Sequence, residues 1–153
     1  VAALLLFLTM LAEESEELDA RYAEVRATLT RRLGALERDG VWMQSDSPDF
    51  APVPAEPFDQ PVPSGMSLAE YALLLRQIRR HEEYAPRPFA DAHGRAFANI
   101  VALASRGYVY VVESPEGVPW AKLPVNAVQI RGTARTSCYR GVCYLGLPPD
   151  GTG

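Results

Sequence analysis

The stretch Pro61-Val-Pro-Ser-Gly-Met-Ser-Leu-Ala-Glu70, with the apolar segment Tyr71–Ile78 behind it, divides the chain into two halves of different character. Residues before it have helical and proline-rich patterns, and residues after it change gradually to strand patterns. Ser67, followed three positions later by Glu70, has the spacing of a capping box, in which a hydroxyl and a carboxylate satisfy backbone N–H groups where a helix begins. We therefore predict that Ser67 caps a helix over Leu68–His81.

The composition is typical of one globular domain. Of the 153 residues, 48% are hydrophobic and 22% are charged, which allows a single core of ordinary size. The net charge of −4 and the pI near 5.2 argue against a nucleic-acid partner, because phosphate backbones are bound by clustered lysine and arginine. Two cysteines are too few for a disulfide framework, so the compartment stays unknown, and we slightly favour the cytoplasm.

The front of the chain predicts a helical hairpin. Val1–Ala12 is an apolar run that is too short to span a bilayer and lacks the basic residues of a signal peptide. We interpret it as a buried helix whose beginning was cut off, with another protein or chain upstream of Val1 as its candidate partner, and membrane contact is the less favoured alternative. The second helix is predicted over Ser15–Glu37, because apolar residues recur there at steps of three and four. Asp39-Gly40 is expected to end it, with glycine as a left-handed cap.

The rest of the chain predicts a loop, two more helices and a small sheet. Apolar residues between the prolines favour an ordered loop over a free linker, and the fourth helix is expected over Phe89–Ser105. Strands are predicted at Tyr108–Val112 and Ala127–Ile130, and Ser137–Leu145 is either a tight hairpin or one strand that enters a loop. We therefore predict a single α+β, mostly helical domain over 1–153. The helical hairpin is expected over 1–40, the proline-rich ordered loop over 41–66 and the second helical pair over 67–107. The small β region is expected over 108–148 and the tail over 149–153.

The two cysteines, Cys138 and Cys143, are the candidate redox or disulfide residues. Their C-x4-C spacing differs from the C-x2-C of thioredoxin-like and zinc-binding motifs, and no second pair completes four metal ligands. We favour buried thiols or a local disulfide over catalytic redox use, which requires an electropositive setting. Arg135 and Arg140 are the residues that would supply such a setting.

Other short motifs do not predict a reaction. His81-Glu-Glu-Tyr-Ala85 lacks the second histidine of the zinc motif H-E-x-x-H, and a metal at the two cysteines would need His81 or His93, both distant in sequence. Gly65-Met-Ser-Leu-Ala69 has the first half of a nucleophile elbow but does not follow a strand. The three arginines near the end of the predicted third helix suit a helix C-terminus better than an anion site in an acidic chain; they are Arg76, Arg79 and Arg80. We therefore expect no catalytic residue, no cofactor and no metal ion, and we lean against an enzyme.

Two segments resemble a known family. Pro63-Ser-Gly-Met-Ser-Leu-Ala69 resembles the P-S-G-N-S segment, and Cys138-Tyr-Arg-Gly-Val-Cys143 resembles the closing C-x4-C segment, of thioredoxin-domain-containing proteins. That family includes the spermatogenesis-associated thioredoxin-like proteins and their bacterial relatives. The resemblance implies that the chain is the last part of a helical toroid, similar to six-hairpin glycosidases and sugar epimerases, without the thioredoxin-like domain. Met66 stands where the family has asparagine.

These observations leave three function classes open. The first is a non-catalytic structural or protein-interaction domain, as a fragment of a larger protein. The second is part of a thiol-redox or carbohydrate-processing enzyme whose active residues lie upstream. The third is a membrane-tethered accessory subunit. An exposed apolar face on Val1–Ala12 would favour the first or the third, and a solvent-reachable Cys138–Cys143 pair beside Arg140 would favour the second.

Overall fold

The computed structural model describes residues 1–47, 51–82 and 95–146, and within these ranges the chain forms four α-helices, a two-stranded sheet and a four-stranded sheet. The α+β, mostly helical class predicted from the sequence is confirmed. The predicted residues 89–94 of the fourth helix, His93 and the tail lie outside the described ranges. The helices are α1 (Ala2–Leu11), α2 (Glu16–Ala35), α3 (Gly65–Arg79) and α4 (Ala96–Ser105), and the strands are β1 (Glu37–Arg38), β2 (Val41–Trp42), β3 (Tyr110–Ser114), β4 (Ala127–Arg131), β5 (Thr136–Tyr139) and β6 (Val142–Leu145).

Helix α1 buries one of its faces against α2 and α3. The buried residues follow helical spacing, so they form one stripe that faces the core. A core cluster combines Leu5 of this stripe with residues of α2, β2 and α3, namely Leu33, Trp42, Ala69 and Ala72. In the ranges that the structure describes, no helix has the length and apolar character needed to cross a membrane.

The N-terminus of α3 differs from the prediction. Its N-cap is Ser64, whose Oγ accepts a hydrogen bond from the Ser67 N–H at 3.1 Å, so the helix begins three residues earlier than expected. Ser67 is buried in the first turn. Glu70 is also fully buried, and its carboxylate accepts a hydrogen bond from Trp42 Nε1 at 2.8 Å. The capping-box prediction is therefore wrong, because Glu70 turns to a distant indole and the preceding serine takes the cap.

Asp59 joins the proline-rich segment to the beginnings of two helices. Its Oδ1 accepts hydrogen bonds from Ser64 N at 2.8 Å and Ser67 Oγ at 2.7 Å, and its Oδ2 accepts from Phe97 N at 2.9 Å and Ala98 N at 3.4 Å. A carboxylate at helix N-termini is favourable because the helix dipoles are positive there. Burial acts to raise the pKa of Asp59, but these hydrogen bonds together hold it below its ordinary value.

The Asp39-Gly40 pair forms a hairpin turn instead of a helix cap. Helix α2 ends at Ala35, and β1 and β2 then pair as antiparallel strands. Asp39 (φ 51°) and Gly40 (φ 81°) both occupy the left-handed region, as a two-residue turn between twisted strands requires. The predicted glycine cap is therefore wrong, because the chain leaves the helix earlier and uses the same two residues to reverse direction.

The four-stranded sheet has the order β4-β3-β5-β6. Strands β3 and β4 are parallel, whereas β5 pairs antiparallel with both β3 and β6. The last two strands form the tight hairpin that was one of the two predicted alternatives, with Arg140 and Gly141 at positive φ in the turn. Val128 and Ile130 of β4 pack with Leu75 of α3, so the sheet covers the side of α3 that α1 leaves open.

Candidate functional site

An apolar pocket of about 280 Å³ opens between α1, α3 and β4. Its volume is near the lower end of the range for ligand sites, which suits one or two large side chains better than an extended small molecule. The ring of Tyr71 forms part of its wall, and burial raises the pKa of this tyrosine above its ordinary value. The apolar and aromatic lining residues are Phe7, Met10, Leu11, Tyr71, Leu75, Trp120, Ala127 and Val128.

One end of the pocket is polar and is held by the protein's own contacts. Glu13 is buried and forms an ion pair with Arg79 Nε, and its Oε2 accepts a hydrogen bond from Arg131 N at 2.5 Å. Burial raises the pKa of Glu13 above its ordinary value, although Arg79 and the Arg131 N–H act in the opposite direction. Gln129 accepts a hydrogen bond from Val118 N. These groups are engaged with protein partners, so the pocket presents a fixed polar end and apolar walls.

The corner between α1 and α2 is tied to the end of β4. Arg131 Nη2 donates to the backbone oxygen of Glu13 at 3.0 Å and of Glu14 at 2.8 Å. The two partners are separated by more than one hundred residues, so the contact depends on the complete fold. This clamp fixes α1 relative to the sheet, and the pocket between them is therefore formed before any partner binds.

An exposed apolar stripe on α1 leads into this pocket. Leu4, Phe7 and Met10 are 49%, 59% and 48% exposed, and Trp120 on the neighbouring loop is 53% exposed. Residues three apart on a helix are neighbours, so the α1 residues form a continuous strip. Phe7, Met10 and Trp120 also line the pocket. We call these four residues, together with the pocket, the α1 docking surface.

Cys138 and Cys143 lie on a different part of the molecule. They are directly paired across β5 and β6, and their sulfur atoms form a disulfide of 2.04 Å. Of the predicted forms, buried thiols are excluded and the local disulfide is present. Cys138 also borders a separate cavity of about 340 Å³ against α3 and β3.

The arginines predicted to activate the cysteines have other contacts. The guanidinium of Arg140 lies over the Tyr108 ring, 4.9 Å from its centroid, and Arg140 also borders the cavity beside Cys138. Arg135 is exposed, and its Nη2 lies 3.9 Å from Glu116 Oε1. The structure therefore brings one of the two arginines to the region of the disulfide.

The remaining predicted motifs lie apart from one another. His81 is exposed, and Ser67 of the elbow-like segment is 1% exposed with its hydroxyl bonded to Asp59. Across residues 1–47, 51–82 and 95–146, no cluster of three His, Cys, Asp or Glu side chains is arranged to hold a metal ion.

The sequence patterns identified only part of the pocket. They singled out Val1–Ala12 but not Trp120 or Tyr71. Tyr71 belongs to the apolar run of the predicted third helix, and Trp120 begins a single turn of 3-10 helix, Trp120–Lys122, between β3 and β4. A tryptophan between Gly117 and Pro124 is a signal that could have marked an anchoring surface, because aromatic residues with one apolar and one polar edge are enriched at interfaces.

The chain matches no protein-family model, no curated protein and no solved structure.

Proposed function

We propose that this chain is a non-catalytic protein-interaction domain that binds a partner through the α1 docking surface. The supporting observation is that Phe7, Met10 and Trp120 are about half exposed and at the same time line a preformed apolar pocket. Exposed apolar residues that rim a pocket are typical of binding sites, whereas singly scattered ones are not. Ile100 and Leu103 of α4 are also about half exposed, but they do not line the pocket.

The partner that best fits this surface is a basic amphipathic helix. Its apolar side chains would lie along α1 and place one anchor in the pocket, as helices do in hydrophobic grooves. Acidic residues lie next to the pocket, because Glu14 lines it and Glu16 and Glu17 follow at the exposed beginning of α2. Basic residues on the partner would complement these charges and select against acidic helices.

The proposal predicts selective binding of a basic helical peptide. Two fluorescent peptides with the same leucine face are compared by anisotropy, one with lysine and one with glutamate on the polar face. We expect saturable binding of the lysine peptide, and Phe7→Asp should weaken it roughly tenfold or more, since a charge in the apolar strip removes about 1.4 kcal/mol or more of binding free energy. Ile100→Asp is the matched control, because it places the same charge at an equally exposed helical position.

Two results would contradict this interpretation. One is equal binding of both peptides, and the other is binding that Phe7→Asp and Ile100→Asp change to the same extent. Sedimentation of the free chain tests a further outcome. Self-association that Phe7→Asp abolishes would assign the docking surface to a second copy of the chain and overturn the proposed partner. Circular dichroism of each variant establishes that the helices are intact.

The disulfide supports a second candidate, thiol–disulfide exchange. Cys143 is on an exposed strand, and Cys138 borders a cavity whose apolar wall includes Leu74 and Ile78 of α3. The thiolate of a dithiol donor would attack Cys143 Sγ, form a mixed disulfide and release Cys138 as a thiolate that takes up a proton. The second donor thiolate would then displace Cys143. Two electrons thus pass from the donor, which ends as a disulfide, to the chain.

A role in thiol–disulfide exchange predicts that the Cys138–Cys143 disulfide is readily reduced. The folded chain is equilibrated in glutathione buffers of graded potential, and free thiols are alkylated and counted by mass spectrometry. We expect half reduction at a potential above about −300 mV, because structural disulfides lie below that value. A disulfide that stays oxidised until the chain unfolds would restrict Cys138 and Cys143 to holding the β5–β6 hairpin together.

The family resemblance stays a prediction. Its P-S-G segment occupies the N-cap region of α3, and its C-x4-C segment forms the β5–β6 hairpin. Both segments are thus placed at turns of the chain in this fold. Membership in a larger thioredoxin-associated or carbohydrate-processing protein, or in a membrane-tethered one, stays a prediction as well.

A further inference from the structure

A cavity of about 390 Å³ lies between α1, α2, the C-terminal half of α3 and the end of β4, and arginines dominate its lining. Three of them are at the C-terminal end of α3, where Arg76 and Arg79 belong to the last turn and Arg80 is the C-cap. Arg26 comes from α2 and Arg131 from β4, so the fold adds two guanidinium groups to the three that are neighbours in sequence. We call this region the arginine cavity.

The acidic groups in and around the arginine cavity do not balance its positive charge. Asp19 is the acidic residue in the lining, and it pairs with Arg26 and, at 3.3 Å, with Arg79. Beside the lining, Glu13 pairs with Arg79 and Glu82 with Arg80. Among the residues that the structure describes, five arginines therefore face three carboxylates, which is an excess of two positive charges in a chain whose net charge is −4.

Several donors of the arginine cavity remain without an acceptor. The guanidinium group of Arg76 makes no hydrogen bond or ion pair with any residue in the part of the chain that the structure describes. Arg26 Nη1 and Arg131 Nε are buried atoms for which the described residues supply no hydrogen-bond acceptor. A buried donor without an acceptor is unfavourable, and a buried charge without one is more so. Among these donors, the guanidinium of Arg76 lines the cavity and is the group suited to an anion that enters from solvent.

The end of a helix offers a competing explanation for some of these arginines. The last carbonyl groups of α3 carry partial negative charge, which Arg76 and Arg79 offset. That explanation does not extend to Arg26 and Arg131, which lie on other elements and line the same cavity. The two additional arginines are what distinguish a binding cavity from an ordinary helix C-terminus.

We propose that the arginine cavity binds the phosphate group of a small phosphorylated molecule. A guanidinium group presents a planar fork of donors that matches phosphate oxygens, and the doubly negative phosphate monoester matches an excess of two positive charges. The volume exceeds that of a single oxyanion and lies in the range of small-molecule sites. Thr9, Thr30 and Asp19 also line the cavity, and their oxygens can accept hydrogen bonds from hydroxyl groups of the ligand.

The test is calorimetric titration of the complete chain at low ionic strength with inorganic phosphate, glycerol 3-phosphate and acetate. We expect saturable binding of a phosphate compound and at least roughly tenfold weaker binding of acetate, which carries one charge. Arg76→Met should weaken phosphate binding roughly tenfold or more, because it removes a donor that has no structural contact to replace. Arg106→Met is the control, since Arg106 is an exposed arginine at the end of α4.

The two phosphate compounds distinguish the source of the ligand. Tighter binding of glycerol 3-phosphate supports a phosphate monoester, and equal binding supports the same site with free phosphate as its ligand. The proposal is overturned if neither compound binds saturably, if acetate binds as well as phosphate, or if Arg76→Met and Arg106→Met have equal effects. Arg26→Met provides an independent second variant from another helix, and it should show the same loss.

Discussion

Replacing Trp42 with alanine is expected to lower the free energy of unfolding by about 3–5 kcal/mol, the range for truncation of a large buried aromatic side chain. Trp42 is 2% exposed and packs in the cluster that joins α1, α2 and α3. Its Nε1 also donates to the buried carboxylate of Glu70 at 2.8 Å. The substitution therefore creates a cavity and removes a hydrogen bond to a charged acceptor.

Urea unfolding of three variants separates these two contributions. Trp42→Phe keeps most of the aromatic volume and should lower stability by about 1–3 kcal/mol, because Glu70 loses the indole N–H. Adding Glu70→Leu to that variant should restore part of the loss, because the leucine has no carboxylate that needs hydrogen-bond donors. If Trp42→Phe and Trp42→Ala are equally destabilising, or both are neutral, the packing described for this cluster is incorrect.

Replacing Asp59 with alanine is expected to lower stability at neutral pH by about 2–4 kcal/mol, since hydrogen bonds to a charged group contribute about 1.5–3 kcal/mol each and solvent replaces some of them. Four donors from the beginnings of α3 and α4 converge on this carboxylate. The variant should therefore separate α4 from α3 as well as lower the unfolding free energy. Hydrogen exchange of the first amides of α4 measures that separation directly.

The pH dependence gives this prediction a second readout. The folded pKa of Asp59 lies below its ordinary value of 3.8, so its contribution is present above pH 3.8 and is lost as the pH falls through the folded pKa. Stability of the wild type should thus fall in that acidic window, and Asp59→Ala should lack this component. The contribution of Glu13 to stability depends on pH in the opposite direction. Its folded pKa lies above 4.5, so its contribution decreases as the pH rises from 4.5 through the folded value.

Urea unfolding measured between about pH 2 and about pH 7 compares Asp59→Ala with Glu13→Gln. The two variants should change the pH profile in opposite directions. If the unfolding free energy of Asp59→Ala falls with decreasing pH as steeply as that of the wild type, the ionised Asp59 carboxylate does not stabilise the fold as described.

The sequence predicted the elements of this fold better than their contacts. Helical spacing identified four helices, and the β-branched run after Gly107 identified the first strand of the large sheet. It did not predict that β3 and β4 are parallel, because strand direction depends on how the intervening loop crosses the sheet. It placed the cap at Ser67 because Glu70 follows with capping-box spacing, whereas the cap is Ser64, whose N–H is held by Asp59 of the proline-rich segment.

The candidate sites, like the contacts of the fold, could be predicted from the sequence only in part. The apolar character of Val1–Ala12 was evident from the sequence and predicted a helix, but how much of that helix is exposed depends on its packing against α2 and α3. The pocket beside it depends on Arg131, which holds the α1–α2 corner from the far end of the chain. The arginine cavity was not expected, because Arg26 and Arg131 reach the end of α3 only in the folded chain. Net charge and local motifs contain no information about such convergence.

The interaction-domain proposal is tested most directly by following amide and indole chemical shifts of the chain during titration with the lysine-faced helical peptide. We expect the shifts to change for α1, for the Trp120 indole and for Gln129, with little change in α4 or in the β5–β6 hairpin. Changes confined to α4 or the hairpin, or spread evenly over the acidic surface, would contradict binding at the α1 docking surface.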